Sequence, residues 1–196
     1  MYSRACGCLL SLLCCVLAPW ASAQSARPDV VPGVVLASAP LPTPGIWLAA
    51  LPDSVRLKML AAVARGDIAG AISMWQLATN RDTVPPALSA LQAAFSLANR
   101  VAGPCARVAK DIHQGFQSLG GNPQYLRISS TGGQFLSWQN RTLISNNNIH
   151  FLVEYEGKLY DAFTGPAGML RTEYLKNLVL RGEALIEQVT EEMLTP

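Results

Sequence analysis

Histidine is scarce in this 196-residue chain, which has only His113 and His150. Charge is scarce too: Asp, Glu, Lys and Arg make up 14% of residues, and the net charge is +2. No basic run or stripe occurs, so nucleic acid is not an expected partner. There is no glycine-rich phosphate loop and no dinucleotide fingerprint. Two separated histidines and so few available cysteines do not make a closed metal site, and neither a metal nor another cofactor is expected. After the N-terminal segment no long apolar stretch follows, so no stable membrane span is expected. What the chain has in quantity is hydrophobic residues, at 50%. That is enough to bury a sizeable core in one ordinary domain.

Cysteine is lacking where it would otherwise be used. Cys6, Cys8, Cys14 and Cys15 lie near the N-terminus, leaving Cys105 alone in the remainder. The N-terminal segment has a positive start at Arg4, an apolar run from Leu9 to Leu17 and the small residues Ala21-Ser22-Ala23. This is the layout of a secretory signal peptide over residues 1–23, cleaved before Gln24. A retained signal anchor is the alternative. Cleavage predicts a secreted or periplasmic protein with one thiol and no intrachain disulfide. An unpaired thiol in an oxidising compartment is either buried or used.

Residues 24–50 contain Pro28, Pro32, Pro40, Pro42 and Pro44, which predicts an extended linker. A helical segment is expected over 51–102. Leu57, Leu60, Ala61 and Ala64 recur at helical spacing up to Gly66, and Asp67 caps a second helix reaching about Ala78. Asp82 or Thr83 caps a third, with Pro85 and Pro86 in its first turn and Leu88, Leu91, Ala94, Phe95 and Ala98 as its stripe. Gly103-Pro104-Cys105 then opens a new helix whose stripe is Cys105, Ala109, Ile112, Phe116 and Leu119, ended by Gly120-Gly121. Beyond it the period changes to that of strands. Tyr125–Ile128, parts of 135–144, and Ile149–Tyr155 read as extended. Glu156-Gly157 is a two-residue hairpin turn leading to Lys158–Phe163. Glu173–Leu180 and Glu183–Leu194 read as helical. The fold class expected is α+β, with residues 103–196 as a domain in which a cysteine-bearing helix packs on a small antiparallel sheet.

A cysteine at a helix start sits among unpaired N–H groups, which favour the thiolate. His113 lies eight residues further along the same helix, about 12 Å away along its axis, and cannot serve that thiol. His150 can. With a two-residue turn, Tyr155 pairs with Lys158 and Leu152 with Asp161. His150 and Asp161 then share one sheet face as diagonal neighbours. Such an aspartate fixes the imidazole tautomer, and the imidazole shares the thiol proton.

The stretch Gly103-Pro104-Cys105 with its helix, Ile149-His150-Phe151, and Lys158-Leu159-Tyr160-Asp161-Ala162-Phe163-Thr164-Gly165 resembles the papain-fold toxin domains of bacterial polymorphic toxin systems. Gly165-Pro166-Ala167-Gly168-Met169 followed by Tyr174 is similar to them too, so the likeness spans about residues 99–180. It implies a papain-like fold, with Cys105 as nucleophile, His150 as general base and acid, and Asp161 as the orienting residue. The implied partners are a protein or peptide substrate and an immunity or inhibitor protein. Such enzymes often place an amide before the nucleophile to help bind the oxyanion. Asn99 is the side chain of that kind here, and the backbone N–H of Cys105 is another donor.

The expected function is a thiol hydrolase acting on an amide, as a peptidase or a protein-glutamine deamidase, with acyl transfer differing only in the final acceptor. Trp138, Tyr125 and Trp75 are candidates to line its groove. Two alternatives stand beside it. One is peptidoglycan amide hydrolysis. The other is a non-catalytic exported binding protein that keeps the fold and buries Cys105. Asn140-Arg141-Thr142 matches a glycosylation sequon, which matters only in a eukaryotic secretory host.

Overall fold

A computed structural model describes residues 46–133 and 136–194. The signal peptide expected at 1–23 and residues 24–45 of the expected linker lie outside the described residues. The linker's last residues are not extended. They form a helical turn, α1 (Ile46–Ala49), because Leu48 is drawn fully into the core. Among the described residues no helix is long and apolar enough to cross a membrane.

Three helices follow. α2 (Asp53–Ala64) buries Met59, Leu60, Ala62 and Val63. α3 (Ile68–Thr79) starts at Asp67, whose carboxylate accepts the Gly70 N–H at 2.8 Å. α4 (Pro86–Ala94) starts later than either expected cap, with Pro85 at its N-cap and no side-chain hydrogen bond there. The cause is steric. A residue before proline is kept out of the helical region, and Pro85 (φ −57°, ψ 136°) stays extended ahead of Pro86. Leu88, Leu91 and Ala94 are buried as the spacing predicts, whereas Ala98 falls in an exposed 3-10 turn, Leu97–Asn99.

α5 (Cys105–Ser118) carries Cys105 at its first position, and Ala109, Ile112 and Phe116 lie on its buried stripe. Gly115 lets α5 approach α4 closely, since a Cβ there would stand 2.9 Å from the Leu91 side chain.

The strands are β1 (Gln124–Ser130), β2 (Leu136–Trp138), β3 (Thr142–Ser145), β4 (His150–Tyr155), β5 (Lys158–Tyr160), β6 (Met169–Leu170), β7 (Leu178–Val179) and β8 (Ala184–Val189). α6 (Arg171–Asn177) lies between β6 and β7. One antiparallel sheet has the order β6-β5-β4-β1-β8 and a second, smaller one the order β3-β2-β7. The fold is therefore mixed α+β.

Two apolar clusters flank the larger sheet. The first joins α2–α5 to Tyr125, Phe151, Val153, Tyr155, Tyr160 and Val189. The second holds Leu126, Ile128, Leu152 and Leu159 from the opposite face, with Leu136, Ile144, Tyr174 and Leu178. This alternation of odd and even residues is the period-two rule of a strand buried on both faces.

Two helical expectations need correction at the C-terminal end. Glu173–Leu180 is helical only to Asn177, after which Leu178 and Val179 pair with Trp138 and Ser137. Glu183–Leu194 is a strand followed by a 3-10 turn, Glu191–Met193. Ala, Leu, Glu and Gln favour helix here, but β1 offers a six-residue edge from Tyr125↔Val189 to Ser130↔Ala184. Ile186 packs into the second cluster and Val189 into the first. Residues three apart point to opposite faces on a strand and to one side on a helix, so burial on both sheet faces selects the strand.

Candidate active site

The β4–β5 hairpin has the register its turn predicts: Tyr155↔Lys158, Glu154↔Leu159 and Val153↔Tyr160. Glu156 and Gly157 both have positive φ, at 49° and 73°, which makes a turn of the I′ kind. Pairing stops at Tyr160. Asp161 then leaves the strand and closes a turn with its own carboxylate. Its Oδ1 accepts the N–H groups of Phe163 and Thr164, each at 2.8 Å, and its N–H donates to the Thr164 hydroxyl at 3.0 Å.

The other carboxylate oxygen meets His150 Nε2 at 2.9 Å and accepts the Tyr174 hydroxyl at 2.8 Å. Asp161 and His150 are almost fully buried, with 1% and 2% exposure. A carboxylate has about four acceptor sites, and all four are filled. Burial pushes the Asp161 carboxyl up, but His150, the Thr164 N–H and the Tyr174 hydroxyl outweigh it and hold its pKa below the ordinary value.

Cys105 faces this pair from the first turn of α5 and is half-buried. Burial pushes its thiol up; the neighbouring imidazole and the backbone N–H groups of Phe151 and Ala106 outweigh that and lower it. The Phe151 amide is free to do so because of where β5 ends. Odd-numbered residues of β4 turn their N–H groups toward β5, as at Val153 and Tyr155, and no β5 residue lies opposite Phe151.

Burial likewise works against the charged imidazole of His150. Its bonds and charge interactions with Asp161 and Cys105 prevail and raise its pKa to about 9. Nε2 is committed to Asp161, so the interaction with Cys105 falls to the buried Nδ1, which has no other hydrogen-bond partner among the described residues. Nδ1 is therefore the nitrogen left to exchange a proton with the thiol. In the serine-protease arrangement the two nitrogens play the reverse parts.

The other residues singled out in the sequence fall as follows. Asn99 borders the site, but both of its amide N–H bonds are spent. Nδ2 donates to the carbonyls of Ala93 and Ala94 at 2.9 and 3.2 Å, and Oδ1 accepts from Arg107. Its side chain thus satisfies carbonyls at the end of α4 and offers no free donor for an oxyanion. The Cys105 N–H, in the first helical turn, has no intrahelical acceptor.

His113 stacks on Tyr125 with ring centres 4.0 Å apart and takes no part in the site. Tyr125 and Trp75 are core residues, not groove residues. Trp138 packs against Tyr174 and Phe163, and the Phe163 ring meets the His150 ring edge-on at 6.2 Å. The sequence points to Tyr174 only through the resemblance; no spacing rule brings α6 to Asp161.

The cavity at the thiol is small, about 10 Å³, and is bordered by Asn99, Val101, Val108, His150, Ala162 and Phe163. That is room for about one water. Arg100 Nε donates to the Ala162 carbonyl at 2.9 Å and holds the segment before α5 against the Asp161 turn. A larger cavity of about 660 Å³ lies elsewhere, between α2, α4 and α5. The chain matches no family model, no curated protein and no solved structure.

Proposed function

We propose that this protein is an exported papain-like thiol hydrolase that acts on an amide bond of a protein or peptide, as a peptidase or a glutamine deamidase. The observation that carries the reading is a thiol at a helix start beside a buried imidazole, whose far nitrogen is fixed by a four-bonded carboxylate. Cys105 Sγ attacks the amide carbon while the backbone N–H of Cys105 stabilises the oxyanion. His150 gives the proton on Nδ1 to the departing nitrogen, which leaves an acyl-thioester. It then takes a proton from the water that attacks the thioester, and collapse releases the acid and the thiolate, which restores the imidazolium–thiolate pair. Asp161 holds the imidazole in orientation and stabilises its charged form. Export rests on the signal-peptide layout of residues 1–23, and an immunity or inhibitor protein as partner rests on the toxin-domain resemblance.

The small size of the cavity favours a second reading, a non-catalytic binding protein that keeps this constellation. The rate of Cys105 alkylation by iodoacetamide against pH separates the two. A catalytic pair gives a thiol that reacts well below its ordinary pKa of about 8.5 and loses this in His150→Ala. A thiol that reacts only near that value in both proteins, or in neither, makes Cys105 structural.

A further inference from the structure

We propose that Tyr174 is a positioning residue of this site: through its hydroxyl on Asp161 it keeps the carboxylate ionised and aimed at His150, and so sets the lowest pH at which the Cys–His pair operates. The inference rests on the reading of Cys105, His150 and Asp161 as one unit.

Tyr174 is fully buried at 0% exposure on α6, an element separate from those that carry the other three residues. Its hydroxyl donates to the same oxygen, Oδ2, that takes His150 Nε2. A phenol needed only for packing could be a phenylalanine. Its ring already has that packing against Trp138, at 4.9 Å, and the second apolar cluster. The hydroxyl is used on a buried carboxylate whose remaining acceptor sites are filled by the Phe163 and Thr164 N–H groups.

The titratable groups facing Tyr174 are Asp161 from the turn after β5, His150 from β4 and Cys105 from α5. On its own helix Arg171 is turned to Glu154, with their charges 3.9 Å apart. The imidazole faces the charges of Asp161 and Cys105, and among the described residues Tyr174 is the one side chain besides His150 that donates to the Asp161 carboxylate.

Removing the hydroxyl acts twice in one direction. Asp161 loses a donor to its charged form, so it protonates at higher pH and then stops supporting the imidazolium. While still ionised, its less neutralised charge opposes the thiolate. Both effects move the acid limb of thiol reactivity upward.

The test is the pH profile of Cys105 alkylation by iodoacetamide in the full chain, in Tyr174→Phe and in a protein with 3-fluorotyrosine at position 174. The fluorinated phenol is a stronger donor of the same shape. Expected are an acid midpoint raised by about half to one pH unit in Tyr174→Phe and lowered in the fluorotyrosine protein, with the plateau rate unchanged in both. A normal low wild-type midpoint that neither variant moves overturns the role of Tyr174 and leaves the Cys–His reading standing. A wild-type profile without a low midpoint overturns both. If Tyr174→Phe fails to fold, the fluorotyrosine midpoint decides alone.

Discussion

Asp161 takes hydrogen bonds from its own turn, from β4 and from α6, and is the residue on which the site's geometry converges. Its carboxyl pKa is depressed in the folded chain. The stability this supplies is fully present above the ordinary value of 3.8 and is lost as pH falls through the lower folded value. Asp161→Asn is expected to cost about 3 kcal/mol at neutral pH, because it leaves His150 buried without its counter-charge. The acid-side fall in Tm should be shallower in that variant, and melting curves from pH 2 to pH 6 check it. An equal fall in both proteins would locate the acid sensitivity elsewhere. For chemistry the order is different. Cys105→Ala should abolish amide hydrolysis with Tm nearly unchanged, His150→Ala should do almost the same, and Asp161→Asn should keep a residual rate. Turnover assays on these three variants, run once a substrate is identified, test it, and full activity in Cys105→Ala would refute the enzyme reading.

At the scale of elements, the site exists because β5 is short. It leaves β4 at Tyr160, which frees the Phe151 N–H and lets Asp161 curl toward His150 while α5 brings Cys105 from the opposite layer. The segment between α4 and α5 closes the space that remains. It buries little, since Leu97 and Val101 are 75% and 51% exposed, and Arg100 ties it to the Ala162 carbonyl. Segments with few buried contacts open at low cost. The cavity at the thiol holds only about 10 Å³, and Asn99 and Val101 of this segment form one side of it. Arg100→Ala removes a charge-assisted bond worth about 1.5 kcal/mol. The plateau rate of Cys105 alkylation should therefore rise by about tenfold without a change in its pH midpoint. An unchanged plateau would show that another part of the structure limits access.

Across the whole molecule, the first apolar cluster ties the helices to the larger sheet, from Leu48 through Phe116 to Leu194. Phe116 sits against the rings of Tyr155 and Tyr160, with centres 4.6 and 4.9 Å away, and the Tyr160 hydroxyl reaches back to the Ala64 carbonyl on α2. Phe116→Ala should cost about 3–5 kcal/mol, the usual range for a large core truncation. Because helices and sheet share this cluster, urea unfolding followed by far-UV circular dichroism and by tryptophan fluorescence should shift by the same amount in both signals. Separate midpoints would mean that the helical segment unfolds independently.

Local rules were enough for much of this chain. Asp67 as a cap, the stripe of α5 and the two-residue turn at Glu156-Gly157 follow from short-range sterics and from which face is apolar, and the structure has each of them. The turn at Glu156-Gly157 also set the register as far as Val153↔Tyr160, but the expected Leu152–Asp161 pair does not form, and Asp161 meets His150 by curling out of the strand instead. Elsewhere tertiary contacts decided. Ala184–Val189 carries residues that favour helix, and only the open edge of β1 made it a strand. The amide of Asn99 is of a kind that could bind an oxyanion, and only the end of α4 shows that its N–H groups are already spent. Tyr174 reaches Asp161 through the path of the chain over β6 and α6, which no local spacing encodes. Periodicity and turn chemistry act over a few residues and are written in the sequence directly. Strand partners, spent donors and the fourth bond to a buried carboxylate depend on groups far apart in the chain, and only folding brings those together.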